Sequence, residues 1–148
     1  MYQHLLVATD GSELSLKGLE HGLALASALD AKITILSVSQ PMHPDSVRAA
    51  KLAGLDDAVS RHDRQLEYLA TERFAFVQDR ARHHDVKMEL THEIDDSPAE
   101  TIVRIAEQKA CDLIVMSSHG RRGIQKLLLG SQTSEVLVKT SVPVLVVR

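Results

Sequence analysis

Short apolar runs recur along the chain, each separated from the next by a stretch with a different period. Residues 5–8, 113–116 and 144–147 are continuous apolar runs, and residues 33–38 are rich in β-branched side chains. A run without polar alternation is typical of a strand that is buried on both faces of a parallel sheet. Residues 86–91 alternate instead between apolar and polar side chains. This alternation predicts a strand that is covered on one face only, as at the edge of a sheet.

Between the predicted strands, apolar side chains recur at every third or fourth position, which predicts amphipathic helices. Ser97, Pro98 and Glu100 form a capping-box signature at the start of one of them. A last helix is predicted over residues 131–139. The buried stripes are expected at Leu16, Leu19, Leu23 and Ala26, at Leu66, Leu69, Phe74, Val77 and Ala81 in a helix over residues 60–84, and at Ala99, Ile102, Val103 and Ala106.

Residues 40–57 fit neither period. Two prolines and a glycine break this segment, and residues 47–55 favour a short helix. Long connections in compact domains are often functional or mobile. The part from Pro41 to Leu55 is therefore a candidate lid.

The alternation of strands and helices predicts a three-layer α/β sandwich with a five-stranded parallel sheet. Its crossovers should be right-handed. We expect the doubly wound strand order 3-2-1-4-5, which makes the third and fifth strands edges. The length of 148 residues suits a single domain over residues 1–148.

The fifth predicted strand is an apolar edge, which would favour aggregation if it were left bare. We expect a second copy of the chain to cover it, so that a homodimer forms through Val144, Leu145, Val146 and Val147. The alternative is a strand that is covered within the monomer.

Polar residues follow the first and fourth predicted strands, at residues 9–12 and 117–120. In the proposed order these strands are neighbours, and ligands of open α/β sheets bind past the carboxyl ends of the strands where the order reverses. The carboxylate of Asp10 can accept from ribose hydroxyls or an exocyclic amine. Asp10 can instead be the N-cap of the first helix. Backbone groups at residues 37–39, which end the second strand, border the same cleft.

A glycine-containing loop follows the fourth strand. Gly120, Gly123 and Gly130 can let the backbone approach an anion and adopt positive φ. Ser131, as N-cap of the last helix, would place a hydroxyl beside free N–H groups. The same glycines can be ordinary turn residues. The cations of this loop can screen phosphate or face solvent, and they are Arg121, Arg122 and Lys126.

Composition narrows the function classes. The chain is 44% hydrophobic and 25% charged with a net charge of -3, so nothing indicates nucleic-acid binding. Cys111 is the single cysteine, which excludes a disulfide within the chain, and it is interpreted as a small buried apolar residue rather than a nucleophile. Neither a signal peptide nor an apolar run of about 18 residues is present, so a cytoplasmic protein without a membrane partner is expected.

The chain resembles the universal stress protein family, in its nucleotide-binding branch related to UspA. The family's nucleotide signature is glycine, two residues, glycine, nine residues, glycine, then serine or threonine. Gly120, Gly130 and Ser131 match it, while Ser117 stands in the place of the first glycine. The resemblance spans essentially the whole chain and is carried by residues 6–12, 97–100, 112–123, 127–131 and 143–147.

The resemblance implies an adenine nucleotide alpha hydrolase-like, flavodoxin-like doubly wound fold that binds ATP. It implies Asp10 and Val38 near adenine and ribose, and Ser117 and Gly120 along the ribose and phosphates. It also implies a homodimer through the last strand. The expected nucleotide-binding residues are Thr9, Asp10, Val38, Met116, Ser117, His119, Gly120, Arg121, Gly123, Gly130, Ser131 and Gln132, with the last three around the phosphate tail.

Catalysis has no clear candidate in the sequence. No Gly-Lys-Ser/Thr triplet occurs, so the loop is not a Walker P-loop. We assign no catalytic base, and His119 either shapes the loop through a hydrogen bond or does acid/base work. His83, His84 and His92 lack metal-ligand spacing, which leaves Mg²⁺ accompanying ATP as the one metal considered.

The main hypothesis is therefore a cytoplasmic homodimer of the universal stress class that acts in stress response through nucleotide occupancy and an unidentified protein partner. A slow ATPase is the first alternative. A nucleotide-free interaction module is the second.

Overall fold

The computed structural model describes residues 1–119 and 129–148. Strands and helices alternate along this part of the chain, with one additional helix between the second and third strands. The strands are β1 (His4–Ala8), β2 (Lys32–Ser39), β3 (Met88–Ile94), β4 (Leu113–Ser117) and β5 (Val144–Val147). The helices are α1 (Glu13–Leu29), α2 (Pro44–Leu52), α3 (Ala58–Ala81), α4 (Pro98–Gln108) and α5 (Ser131–Lys139).

All strand pairs are parallel, and the sheet order is β3-β2-β1-β4-β5. This confirms the predicted doubly wound order, with β3 and β5 at the edges. Val7 lies opposite Ile35 on one side and Val115 on the other. The register therefore brings the carboxyl ends of β1, β2 and β4 together at one end of the sheet, which we call its carboxyl edge to distinguish it from the edge strands β3 and β5.

Apolar side chains on the two faces of the sheet form separate cores. On one face, Leu5, Val7 and Ile35 pack with residues of α1 and α3, among them Leu23 and Val77. On the other face, the core consists of strand residues with residues of α4 and α5, and it includes Leu6, Leu36, Ile102, Ile114, Met116 and Val136. Burial of such side chains stabilises a fold by roughly 1.5–3 kcal/mol each, so the strands are fixed on both faces.

Helix α3 differs from its prediction in how it is buried. A helix of 24 residues spans about 36 Å, whereas the 7 residues of β3 span only about 23 Å. Its buried residues, Ala70, Val77 and Ala81, all lie in the second half. Leu69, predicted as buried, is 46% exposed although Ala70 beside it is buried, because successive helical residues point about 100° apart and the buried stripe runs through Ala70.

The predicted capping box of α4 is wrong in its bonding. Ser97 is the N-cap and Pro98 the first helical residue, but the Ser97 side chain makes no cap hydrogen bond. Instead, Asp95 Oδ1 accepts from the backbone N–H of Ser97 at 2.9 Å. The backbone N–H of Ala99 donates to a side chain of α5, as described below.

Among the residues that the structure describes, no helix is long and apolar enough to cross a membrane.

Candidate functional site

The loop between β1 and α1 is held by its own side chains. The Gly11 N–H donates to Thr9 Oγ1 at 3.3 Å, and the Ser12 N–H donates to Asp10 Oδ1 at 2.9 Å. Ser12 is the N-cap of α1 and accepts from the Ser15 N–H. The alternative of Asp10 as the N-cap is therefore wrong. Asp10 closes a turn before the helix, because its carboxylate accepts the backbone N–H two residues on.

The end of β2 passes beyond the end of β1. Their pairing stops with Ala8 opposite Leu36, while β2 continues to Ser39. Ser39 O accepts from the Asp95 N–H on the β3 side. Backbone groups of successive strand residues face opposite neighbours. The N–H and C=O of Val38 therefore face the gap that β1 leaves as it turns into the loop.

The polar residues at the end of β4 are buried. Ser117, Ser118 and His119 are each at most 9% exposed. Ser117 is absent from the non-glycine residues with positive φ, which in the described chain are Asp30 and Ala110. A serine at this position of the glycine signature therefore needs no left-handed backbone.

Gly130 brings the start of α5 against the end of β4. Its N–H donates to Ser118 O at 2.7 Å, and a Cβ at this residue would lie 3.1 Å from that same oxygen. Thr133 Oγ1 donates to Ser117 O at 3.0 Å and lies 3.3 Å from Ser118 O. These bonds fix the spacing between β4 and α5.

Two expectations at this helix start are wrong. Gly130 itself is the N-cap of α5, and Ser131 is the first helical residue. Gly130 has φ -60, so it does not use the left-handed region. The physical reason for a glycine here is the close approach of its backbone to Ser118 O.

Gln132 joins the starts of two helices. Its Oε1 accepts from the Ala99 N–H of α4 at 3.0 Å. A backbone N–H can only donate, so the carboxamide oxygen must face it. The positive ends of the α4 and α5 dipoles therefore meet at the edge that carries the cleft.

Arg73 belongs to the same edge and was missed by the sequence interpretation, which considered only the backbone groups of residues 37–39 there. Arg73 Nη1 donates to Ser37 Oγ, although 36 positions separate the two residues. Beside them, Ser39 Oγ and His92 Nε2 are 2.8 Å apart. Burial lowers the pKa of His92, and the Arg73 guanidinium lowers it further, while the carboxylate of Glu67 raises it. Serines at alternate positions of a strand signal this polar patch.

His119 and Cys111 have structural surroundings. His119 Nδ1 lies 3.1 Å from Ser118 Oγ, the hydroxyl of the preceding residue, and its role in shaping the loop stays a prediction. Cys111 lies in the core between the sheet and α4, and burial raises the pKa of its thiol to about 11. In residues 1–119 and 129–148, no group of three His, Cys, Asp or Glu side chains is placed to hold a metal ion.

Three expected nucleotide-binding residues, Gly120, Arg121 and Gly123, lie outside the described residues, as do Arg122 and Lys126. The sheet topology brings the remaining expected residues to one edge: Thr9, Asp10, Val38, Met116, Ser117, His119, Gly130, Ser131 and Gln132. Met116 differs from the others because it is buried in the core beside α4 and α5. This edge combines a carboxylate, strand-end backbone groups and two helix N-termini, which suit sugar hydroxyls, a base and an anion respectively.

Comparisons with known proteins agree with this architecture. The family model described as Universal stress protein family matches residues 1–148. Universal stress protein MJ0531 of Methanocaldococcus jannaschii is 31% identical over 150 residues, covering 100% of this chain and 83% of the relative. Universal stress protein MJ0577 of the same organism is 31% identical over 160 residues, covering 100% of this chain and 96% of the relative.

Solved structures show the same fold. The structure of MJ0577 aligns with a TM-score of 0.84 and 27% identity, covering 99% of this chain and 96% of that one. A universal stress protein solved in complex with cAMP aligns with a TM-score of 0.68 and 24% identity, covering 99% of this chain and 97% of that one. The second likeness concerns the fold alone.

Proposed function

This chain belongs to the universal stress protein family, and we propose that it binds ATP at the carboxyl edge of its sheet. In this proposal it is a cytoplasmic homodimer whose nucleotide occupancy regulates a protein partner in stress response. The occupancy, rather than turnover of the nucleotide, carries the signal.

The observation that carries the proposal is the gap between β1 and β2. The backbone N–H and C=O of Val38 face this gap, because β2 extends several residues beyond the last residue of β1. A donor and an acceptor side by side on a strand end can pair with the edge of an adenine base. Asp10, on the loop that borders the gap, supplies an acceptor for ribose hydroxyls. A structural relative described in complex with cAMP makes adenine nucleotides the first class to test.

The phosphate tail is assigned to the start of α5. Gly130 and Ser131 open this helix, and free N–H groups at a helix N-terminus favour an anion. Gln132 lies on the same turn, and its Oε1 is held by Ala99 of α4. Mg²⁺ would accompany the triphosphate. The expected phosphate contacts of Gly120, Arg121 and Gly123 belong to the same proposal.

The homodimer is assigned to the exposed side of β5. This strand pairs only with β4 in the described chain, and Leu145 is 38% exposed. An apolar edge strand is a template for pairing with another chain. An isologous contact across a two-fold axis would pair β5 with its copy.

The candidate lid contains α2, and a regulatory effect of ATP on this segment can be measured. No residue of this helix is buried, and Leu52, its last residue, is 91% exposed. If ATP orders the candidate lid, limited proteolysis between Pro41 and Leu55 should slow when ATP and Mg²⁺ are added. Unchanged cleavage at saturating ATP would contradict the regulatory reading. Steady Mg²⁺-dependent ADP production above the background of Gly130→Val would instead assign a slow ATPase.

A further inference from the structure

The face of the sheet beneath α3 changes from apolar to polar along β2. Ile33 and Ile35 are fully buried in the core on this face. The next residues on the same face are Ser37 and Ser39, because side chains two positions apart share a face. The polar part lies at the carboxyl edge, beside the loop that carries Asp10.

Helix α3 places a guanidinium in this polar part. Arg73 lies between Ala70 and Val77 in the buried stripe of the helix, where the pattern calls for an apolar side chain. Its Nη1 donates to Oγ of Ser37, which is fully buried. Burying an arginine stem is tolerated when the charged head has partners.

The same side chain closes on the β1–α1 loop. A Cβ at Gly11 would lie 2.7 Å from Arg73 Nε and 3.5 Å from Arg73 Cδ. Gly11 also has φ +78, a conformation that favours glycine. The guanidinium therefore occupies the space that a side chain at residue 11 would fill, between the loop and β2.

We propose that Arg73 is a positioning residue that braces the loop of residues 9–12 against the end of β2 and so holds Asp10 at the cleft. This inference rests on the proposed nucleotide site for its consequence. Arg73 acts through the loop and contacts neither the base nor the phosphates, so its loss should weaken every ligand that uses Asp10 by the same factor.

The first test uses the protein without nucleotide. Arg73→Met keeps the length of the stem but removes all the donors, and Ser37→Ala removes only the acceptor. Amide hydrogen exchange should become about tenfold faster at Gly11 and Ser12 in Arg73→Met, the size expected for loss of one charge-assisted hydrogen bond. Exchange at Leu6 and Val7, in the core, should stay unchanged. Ser37→Ala should give a smaller change at the same amides.

The second test is titration of adenosine, AMP and ATP with magnesium. Arg73→Met should weaken all three by a common factor of about ten, and Arg73→Lys should recover part of the loss because it keeps a cation. Arg64→Met, an exposed arginine on the same helix, is the matched control and should change neither measurement.

The outcomes separate the two claims. Unchanged exchange at Gly11 and Ser12 overturns the brace, and a loss confined to ATP overturns it in favour of direct phosphate contact. If the unmodified protein binds none of the three ligands, the proposed function fails, while the exchange rates still decide whether Arg73 holds the loop.

Discussion

The hydroxyl oxygen of Ser117 lies beside Gly18 of α1. A Cβ at Gly18 would be 3.6 Å from Ser117 Oγ and 3.4 Å from the Ser117 backbone nitrogen. Ser117 stands in the place of the first glycine of the signature, and its side chain is therefore directed to the face of the sheet that α1 covers. A small residue on the helix gives it space there.

Ser117→Gly restores the family signature and should hardly change nucleotide binding. We expect the affinity for ATP to change by less than about 0.5 kcal/mol, as for a substitution away from a contact. The free energy of unfolding should fall by about 0.5–1 kcal/mol, because a glycine in a strand costs backbone entropy. Calorimetric titration and thermal unfolding measure the two effects. A tenfold gain in affinity would show that the serine obstructs the cleft.

Gln132→Glu should move stability and affinity in opposite directions. A carboxylate still accepts from Ala99 N–H, and a negative charge near the starts of α4 and α5 stabilises a helix by about 0.3–1 kcal/mol. The carboxylate lacks the N–H donors of the glutamine and repels phosphate, so ATP binding should weaken at least about tenfold. Denaturant unfolding and titration with ATP check the two signs.

Gln132→Met is the matched control for this substitution, since it keeps the length of the side chain without acceptor or donors. It should lower stability by about 0.5–2 kcal/mol, as the loss of a helix cap does. If Gln132→Glu binds ATP as tightly as the unmodified chain, Gln132 has no contact with the phosphate tail.

His4 should make the protein less stable in mild acid. Its Nδ1 lies 3.0 Å from Lys109 O and its Nε2 lies 2.8 Å from Thr34 Oγ1, so the neutral ring donates to the carbonyl and accepts from the hydroxyl. Burial, followed by the Lys32 charge, lowers the pKa of His4 below its ordinary 6.5. The unfolded chain then binds more protons below that pH. The stability contribution is full above 6.5 and is lost as the pH falls through the folded pKa.

The measurement is the free energy of unfolding between about pH 7.5 and 5.5 in the unmodified chain and in His4→Gln. The variant should show a shallower loss, with the remaining slope partly due to His92, whose pKa is also lowered. Glu89 does not interfere, because its pKa is held at about 2 by hydrogen bonds from Lys109 and Lys32. Parallel slopes in the two proteins would exclude His4 as a contributor.

Leu145→Lys should convert the proposed dimer into a monomer. A lysine on an edge strand opposes pairing with another strand, and Leu145 is the exposed residue of β5. Sedimentation velocity at matched concentrations measures the change. Leu52→Lys replaces the 91% exposed last residue of α2 and should leave the assembly intact. A monomeric unmodified chain would rule out the β5 dimer.

The strands could be predicted because their patterns are local, and their order follows from the doubly wound arrangement of alternating strands and helices. The alternation at residues 86–91 indicates an edge strand, whereas uninterrupted apolar runs occur both in the inner strand β4 and in the edge strand β5. The third strand was placed too early, and it begins at Met88 and ends at Ile94. Its last residues include both polar and apolar side chains and lie at the carboxyl edge. No hydrophobic core lies there to require a regular alternation of apolar and polar side chains.

The contacts that shape the site could not be predicted in the same way. Arg73 meets Ser37 across 36 positions, and Gln132 meets Ala99 across 33. Both bonds join elements that come together only when helices pack on the sheet. Gly130 illustrates the same limit, because its glycine is explained by the approach to Ser118 O rather than by a backbone angle that local sequence indicates.

The most direct test of the central claim is calorimetric titration of ATP with magnesium, AMP and cyclic AMP into protein that has been checked for co-purified nucleotide. We expect ATP to bind and Gly130→Val to abolish binding, because a Cβ at Gly130 would lie only 3.1 Å from Ser118 O, so that a branched side chain there would push the start of α5 away from the end of β4. Gly18→Ala, whose Cβ meets only ordinary contacts, should bind like the unmodified chain. A folded, empty protein that binds none of these nucleotides would contradict the account.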